Sequence, residues 1–159
     1  MKDVLISVLE VITASLLMLG LIFCGCMLFM GSVCKAADTK AIERIIRIEA
    51  KKQGFDADLA VAIAKVESNL NPNAKGKANE VGLFQLRPEL HPAASFDPAT
   101  NSRAAISYLI RIRTLCSRKL GPAFILCFNY GPAGAFKLQR PQQALYYKKV
   151  TSIYRKARK

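Results

Sequence analysis

The feature that most constrains this sequence is a run of 24 residues without a charge, VITASLLMLGLIFCGCMLFMGSVC, from Val11 to Cys34. As a helix, the run would be about 36 Å long at about 1.5 Å per residue, which is enough to cross a hydrocarbon core of about 30 Å with some tilt. The sequence therefore predicts one N-terminal transmembrane helix. This helix divides the chain into an anchor over residues 1–36 and a separate domain over residues 37–159.

Two other interpretations of the N-terminal segment stay open. A secretory signal has an apolar core of about 7 to 15 residues and a basic start. Here the start, MKDVLISVLE, carries two acidic residues besides its lysine, and the apolar run is longer. An uncleaved anchor is therefore favoured over cleavage after Ala36, although Cys34 and Ala36 are small residues with the right spacing. Lipid modification of Cys24 or Cys26 fits the preceding residues less well.

The chain is strongly basic, with 24 Lys and Arg residues against 11 acids and a net charge of +13. Such an excess favours polyanionic partners such as anionic lipid or an acidic cell wall. No DNA- or RNA-binding signature accompanies it, so no nucleic-acid partner is predicted. The single histidine, His91, is expected on a surface loop. Cys116 and Cys127 lack metal-ligand spacing. They are expected either as buried thiols or, in an oxidising compartment, as a disulfide.

After the apolar segment, hydrophobic spacings of three and four residues predict a series of helices. Asp56 is a predicted N-cap, and Asp97 with Pro98 predicts another helix start, because Asp caps free amide groups and Pro fits the first turn. The predicted helices cover about residues 38–53, 56–70, 98–116, 123–134 and 141–155. Residues 74–96 are mostly irregular, and no segment alternates with the period of a strand. The predicted fold class is mainly α.

Two acids lie on apolar stripes of the predicted helices. Glu49 shares one face with Ile42, Ile45 and Ile46, and Glu67 follows a run of small apolar residues at spacings of three and four. Glu67 is also in the last turn, where the helix dipole favours the protonated form, and desolvation raises its pKa further. A carboxylic acid still protonated near neutral pH can protonate a glycosidic oxygen. The helix alone equally admits a buried glutamate with structural hydrogen bonds.

Four segments then occur in order: VESNLNPNA, GLFQLRP, FNYGPAG and ALYYKKV. Together they resemble the catalytic domain of soluble lytic transglycosylases, a lysozyme-like family that cleaves peptidoglycan. That family has a Glu-Ser pair at a helix end, then Gly-Leu-Met-Gln, Ala-Tyr-Asn-Ala-Gly and a late tyrosine. The resemblance covers about residues 41–155 and implies a lysozyme-like helical domain, preceded here by the predicted transmembrane helix.

Carried over by position, the family's catalytic acid corresponds to Glu67. The resemblance implies that the substrate-binding residues are Ser68, Phe84, Gln85, Phe128, Asn129 and Tyr146. Gln85 would line the sugar cleft, and Asn129 would lie close to the acid. No metal and no other cofactor is implied.

The sequence departs from the family pattern at several motif positions. Gly76 stands where a serine is common, and Asn79 with Glu80 replaces a Gly-Ala pair. The other replacements are Phe84 for methionine, Phe128 for tyrosine and Gln142 for glutamate. They affect the fine tuning of the site rather than the acid itself.

The resemblance implies a reaction that needs a single acid. Glu67 would protonate the oxygen between N-acetylmuramic acid and N-acetylglucosamine, and its carboxylate would then accept the proton of the sugar's C6 hydroxyl, giving a 1,6-anhydromuramyl end. One alternative is a hydrolysing muramidase in which Glu80 positions a water molecule, since ordinary glycosidases use two carboxylates. Another is a non-catalytic wall-binding subunit.

The expected partners are peptidoglycan glycan strands and, through residues 11–34, a lipid membrane. An anchored wall-cutting domain suits local opening of the wall by a phage or by a secretion or conjugation assembly. The domain is then expected on the periplasmic side of a bacterial inner membrane, or in a membrane-containing phage virion. The positive-inside rule predicts the opposite, a cytoplasmic domain, because Lys2 alone stands against Lys35, Lys40, Arg44 and Arg47.

Overall fold

The computed structural model describes residues 38–159, and five α-helices account for most of them. Helix α1 covers residues 38–52 of the described part. The others are α2 (Ala57–Ser68), α3 (Pro98–Leu120), α4 (Leu126–Ala135) and α5 (Leu145–Ala157). Two 3₁₀ turns, Gly121–Ile125 and Pro141–Gln143, precede α4 and α5.

Extended structure in residues 38–159 is limited to two isolated bridges, Lys75 with Val81 and Val81 with Leu86. The prediction of a mainly α fold is therefore confirmed. None of the helices in this part of the chain has the length and apolar character needed to cross a membrane. The predicted transmembrane helix at residues 11–34 lies outside the described residues.

Both predicted N-caps are present. Asp56 accepts hydrogen bonds from the amides of Asp58 and Leu59 at 2.9 and 3.0 Å, and Asp97 accepts one from the amide of Thr100 at 2.8 Å. Helix α3 extends four residues beyond its predicted end at Cys116, because the break comes only at Gly121, which has a φ of 53°. Helix α2 ends at Ser68 and is followed by its C-cap, Asn69, which has a left-handed backbone with a φ of 53°. Its last turn is therefore a defined end rather than a frayed one.

The core is built around the small side chains of α2. Ala60, Ala62 and Ala64 are fully buried, and α2 packs against α5. Small side chains allow neighbouring helices to approach closely, so the apolar stripe of α2 is covered along its length. The stripe ends at Glu67, which the packing carries to the edge of the core.

A buried asparagine of α3 fixes the long loop between α2 and α3. Asn101 is 0% exposed; its Nδ2 donates to the carbonyls of Val81 and Ser95, and its Oδ1 accepts from the amide of Phe84. Gly82 has a φ of 75°, and a Cβ there would lie 2.8 Å from the Asn101 Cγ. The loop therefore needs glycine at this point, both for its backbone conformation and for the asparagine to reach it.

Cys116 of α3 and Cys127 of α4 form a disulfide. Of the two alternatives that the sequence left open, the structure has the disulfide and not the pair of free thiols. The bond ties the end of α3 to the start of α4 across the intervening 3₁₀ turn.

Candidate active site

A cavity of about 520 Å³ opens where the end of α2, the loop between α2 and α3, and the start of α4 meet. Four of the residues that the sequence assigned to catalysis or substrate binding line it: Glu67, Gln85, Phe128 and Asn129. Glu80, the second acid of the muramidase alternative, also lines it. The remaining wall comes from Leu86, Arg87, Leu90, His91, Tyr108, Tyr130 and Gly131. The structure thus brings three of the four sequence motifs to one place.

Glu67 lines this cavity and is partly buried. Its Oε1 accepts a hydrogen bond of 2.6 Å from the hydroxyl of Tyr146, and none of the ion pairs among residues 38–159 involves it. Burial raises the pKa of Glu67 to about 7, the Tyr146 hydrogen bond opposes that rise, and the negative charge of Glu80 adds to it. Close to neutral pH, the carboxyl group is therefore divided between its acid and carboxylate forms.

Tyr146 brings the fourth motif to the site from α5. The Tyr146 side chain is buried, and its hydroxyl donates a hydrogen bond to Glu67. Burial beside that carboxyl raises the pKa of Tyr146 well above the usual range. The phenol therefore keeps its proton and acts as a donor throughout the neutral range. The neighbouring Tyr147 is half-buried on the same helix and is not part of the cavity wall.

Gln85 lines the cavity from the loop, with a backbone φ of 48°. Its Nε2 donates to the carbonyls of Gly82 at 2.8 Å and Ala74 at 3.2 Å. Both amide protons are thus directed to the backbone, which orients the side-chain carbonyl oxygen as an acceptor. Asn129, from the first turn of α4, is exposed and also lines the cavity.

Aromatic rings form another part of the wall. Phe128 packs against Tyr108 at a centroid distance of 5.7 Å, and Tyr108 packs against His91 at 4.6 Å. His91 lies on the loop between α2 and α3, as expected, and it is half-buried there because its ring packs on Tyr108 in the cavity wall. Burial and the Arg111 guanidinium lower the pKa of His91, which favours the neutral ring at neutral pH.

Tyr108 was not singled out from the sequence. It lies on α3, and the spacing of a half-buried tyrosine does not tell whether its outer edge faces water or a cleft. Asn101 was missed as well. A polar residue in the first turn of a helix usually faces solvent, so its burial depends on a loop that the sequence pattern does not place.

Ser68 and Phe84 do not line the cavity. The Ser68 hydroxyl donates to the carbonyl of Leu83 at 2.8 Å, and Phe84 is 0% exposed in the core. The prediction that these two side chains bind substrate is therefore corrected to a structural role. Ser68 ties the end of α2 to the loop, and Phe84 anchors that loop in the core.

In residues 38–159, no group of three or more His, Cys, Asp or Glu side chains is placed to hold a metal ion. The ionisable and amide groups that line the cavity belong to Glu67, Glu80, Gln85, Asn129, Arg87, His91, Tyr108 and Tyr130. The phenol of Tyr146 donates to one of them, Glu67.

Comparison with known proteins gives a consistent family. Residues 44–149 match the sequence model of the family described as Transglycosylase SLT domain. A membrane-bound lytic murein transglycosylase C of Mannheimia succiniciproducens is 34% identical over 41% of this chain and 22% of its own length. A protein of the same name from Haemophilus influenzae (strain PittGG) has the same identity and coverage.

A third relative, again named membrane-bound lytic murein transglycosylase C, comes from Actinobacillus succinogenes. It is 28% identical over 64% of this chain and 35% of its own length. The chain therefore spans between 22% and 35% of the length of these curated relatives.

Proposed function

The chain belongs to the transglycosylase SLT domain family, the lysozyme-like family that its four motifs predict, and we propose that it is a peptidoglycan lytic transglycosylase with Glu67 as its single general acid and base. The observation that carries this proposal is the state of Glu67. A carboxyl group that lines a cavity, has no cationic partner and has a pKa raised to about 7 is suited both to give and to take a proton at neutral pH.

The proposed reaction begins with Glu67 in its acid form. Its proton passes to the oxygen that joins N-acetylmuramic acid to N-acetylglucosamine, and the bond from that oxygen to C1 breaks. The positive charge that develops at C1 is stabilised by the 2-acetamido group or by dipoles of the cleft. Glu67, now a carboxylate, accepts the proton of the C6 hydroxyl as its oxygen bonds to C1. The product is a 1,6-anhydromuramyl end, and no water is consumed.

Tyr146 supports both halves of this cycle. Its hydroxyl holds Oε1 of Glu67 at 2.6 Å, which leaves Oε2 for proton transfer. A donor to the carboxylate also stabilises the form that exists after the first proton has left. Tyr146 is therefore proposed to act on Glu67 rather than on the sugar directly.

Gln85, Asn129 and Phe128 are proposed to bind the glycan strand. The first two present amide groups to the cavity, suited to the hydroxyl and acetamido groups of the sugars. Phe128 offers an apolar ring that can cover a sugar face. Together they would hold the scissile bond beside Glu67.

A hydrolysing muramidase is the second candidate, and the position of Glu80 favours it. Glu80 lines the same cavity as Glu67, as a second carboxyl must if it is to activate water. The non-catalytic wall-binding alternative rests on the replacements at Gly76 and Phe128. The raised pKa of Glu67 argues against that alternative, because a mere binding surface has no need of it.

We also propose that residues 1–36 are a membrane anchor, that residues 37–159 are the catalytic domain, and that this domain lies in the periplasm or in a phage virion. One observation supports a location outside the cytoplasm: the bond between Cys116 and Cys127 is of a kind that persists in oxidising compartments. It weighs against the orientation that the Lys and Arg count predicts. The name of the relatives, membrane-bound, supports the anchor. Local wall opening for a secretion, conjugation or phage assembly is the proposed context.

The test is digestion of purified peptidoglycan by the full chain in mild detergent, beside a Glu67→Gln variant, with the new glycan ends identified by mass spectrometry. The proposal expects anhydro ends that are lost in the variant. Reducing ends would establish the muramidase instead. A folded chain that binds peptidoglycan but cleaves nothing would support the wall-binding alternative.

A further inference from the structure

The side chain of Glu80 folds back over Gly76. The amide of Gly76 donates to the carbonyl of Glu80 at 2.8 Å, so the two residues face each other across a tight turn. A Cβ at position 76 would lie 2.9 Å from both Cβ and Cδ of Glu80 and would overlap its carboxylate. Glycine is therefore required here for space, and the absence of a side chain at residue 76 provides the seat for the Glu80 carboxylate.

The seated carboxylate is held by the backbone and not by a cation. Its Oε2 accepts a hydrogen bond of 2.8 Å from the amide of Ala78. The ion pairs found in residues 38–159 do not include it. Because the side chain also lines the cavity that contains Glu67, its negative charge is fixed beside the proposed catalytic acid without being neutralised.

The other ionisable groups around Glu67 have a different character. They come from α3, α4, α5 and the loop, and they are Tyr108, Tyr130, Tyr146, Arg87 and His91. The tyrosines are uncharged, Arg87 faces Glu89 at 3.6 Å, and burial with the nearby Arg111 disfavours the charged form of His91. Arg111 itself lies over the Tyr108 ring and outside this cavity wall. Among these described groups, Glu80 is therefore the one whose charge bears on Glu67.

We propose that Glu80, seated over Gly76, is a positioning residue that keeps Glu67 in its acid form over more of the neutral pH range. The inference rests on the proposed role of Glu67 as general acid. It also links two departures from the family pattern, since Gly76 in place of serine makes the room that Glu80 occupies. Both replacements then serve one purpose, which is to extend cleavage toward higher pH.

This role differs from that of a second catalytic carboxylate. A general base must hold a water molecule against C1 of the sugar, whereas the role proposed here requires only the charge of Glu80, which the amide of Ala78 keeps in place at the turn. Loss of the Glu80 charge should therefore move the pH dependence of cleavage and leave cleavage itself in place.

The first experiment compares pH profiles of kcat/KM for peptidoglycan cleavage by the full chain in detergent. Glu80→Gln is expected to move the basic limb down by about 0.5 pH unit, the size expected for one partly screened charge. The rate would then fall by roughly threefold on the basic side alone. Asp38→Asn, the control, removes one negative charge from an exposed residue at the start of α1, outside the cavity wall, and should leave the profile unmoved.

A second variant tests whether the space over Gly76 holds the Glu80 carboxylate in place. Gly76→Ala places a Cβ where the Glu80 carboxylate lies, so it should displace that charge and move the basic limb in the same direction. In a Glu80→Ala background, Gly76→Ala should cause no further shift. A Glu80→Gln variant that loses more than about a hundredfold at every pH would overturn the proposal in favour of a catalytic base. An unmoved profile in both single variants would also overturn it.

A measurement without substrate separates this inference from the proposed activity. The ¹³C signal of the Glu67 carboxyl group can be titrated by NMR in the full chain and in Glu80→Gln. A lower midpoint in the variant supports the inference even for a chain that cleaves nothing, in which case only the proposed function fails. Equal midpoints would overturn the inference even if the chain cleaves peptidoglycan.

Discussion

Two carboxyl groups, Glu49 of α1 and Glu67 of α2, occupy similar positions in the sequence pattern and opposite electrostatic environments in the fold. Glu49 is 3% exposed, yet it accepts hydrogen bonds from Lys52 at 2.8 Å and Arg103 at 3.1 Å, which lower its pKa. Glu67 has a neutral phenol as partner, and burial raises its pKa to about 7. The partner, and not burial alone, decides whether a buried acid is structural or reactive.

The physical reason is the cost of an uncompensated charge. A carboxylate removed from water loses its free energy of hydration. Hydrogen bonds from a guanidinium or ammonium group offset most of that loss, whereas a hydrogen bond from a neutral phenol offsets less of it. Lys52 and Arg103 thus fix Glu49 as an anion that ties α1 to α3. Glu67, without such a cation, can change its protonation state at neutral pH.

The largest expected difference between Glu49 and Glu67 is in activity, when each acid is replaced by glutamine in turn. Glu67→Gln is expected to lower peptidoglycan cleavage by at least about a thousandfold, because general acid and general base are lost together. Glu49→Gln should keep kcat/KM within about twofold of the parent chain, since the Glu49 side chain does not line the cavity. Release of soluble muropeptides measures both. Comparable losses in two folded variants would contradict the division of roles.

The hydrogen bond from Tyr146 gives the next largest effect. Tyr146→Phe removes a donor that favours the carboxylate, so the pKa of Glu67 should rise further and the basic limb of the pH profile should move upward by about 0.5 unit. We also expect roughly tenfold slower cleavage, because the carboxylate formed in the reaction loses its partner. Tyr147→Phe is the matched control on the same helix and should change neither quantity.

The Glu49 side of the comparison is tested by stability. Glu49→Gln exchanges a carboxylate for an amide facing two cations, and we expect a Tm lower by roughly 5 °C at neutral pH. Differential scanning calorimetry of the full chain in detergent measures it. An unchanged Tm would mean that the ion pairs with Lys52 and Arg103 contribute nothing to folding, as many exposed ion pairs do.

The smallest expected effect is on the pH dependence of stability, to which Glu67 and Glu49 should contribute in opposite directions. Because the pKa of Glu67 is raised from 4.5 to about 7, the folded chain holds a proton that the unfolded chain loses, and stability falls as the pH rises through that window. Glu49, with a lowered pKa, contributes stability above about 4.5 that is lost as the pH falls through its folded value.

Thermal scans at two pH values separate these contributions. Glu67→Gln should melt roughly 3 °C above the parent chain at pH 8 and together with it at pH 4. Glu49→Gln should melt below the parent at pH 8, and the gap should narrow at acid pH. A Glu67→Gln variant that melts lower at pH 8 would show that the native carboxyl stabilises the fold.

Much of this architecture could be predicted from local patterns. Periodicity located the helices, the aspartates at 56 and 97 marked two helix starts, and the stripe of α2 placed Glu67 at the edge of the core. These features depend on residues within a turn or two of one another. The apolar spacing placed Glu49 and Glu67 alike on the apolar stripe of a helix, so it could not predict that one is structural and the other reactive.

What distinguishes the two acids comes from distant parts of the chain. Arg103 is 54 residues from Glu49, and Tyr146 is 79 residues from Glu67. The motif resemblance gave the position of Tyr146 without its contact, and it gave nothing about Arg103. Phe84 and Ser68 were assigned to substrate for the same reason, because a motif names positions and does not show which side chains face the cavity.

The most direct test of the account is a single ¹³C NMR titration in which both carboxyl groups are followed in the same full-length chain. The account predicts that Glu67 titrates near pH 7 and that Glu49 titrates below 4.5. A Glu67 carboxyl that titrates at the ordinary value of 4.5 would contradict it, because the group would then be a carboxylate at neutral pH with no proton to give to a glycosidic oxygen.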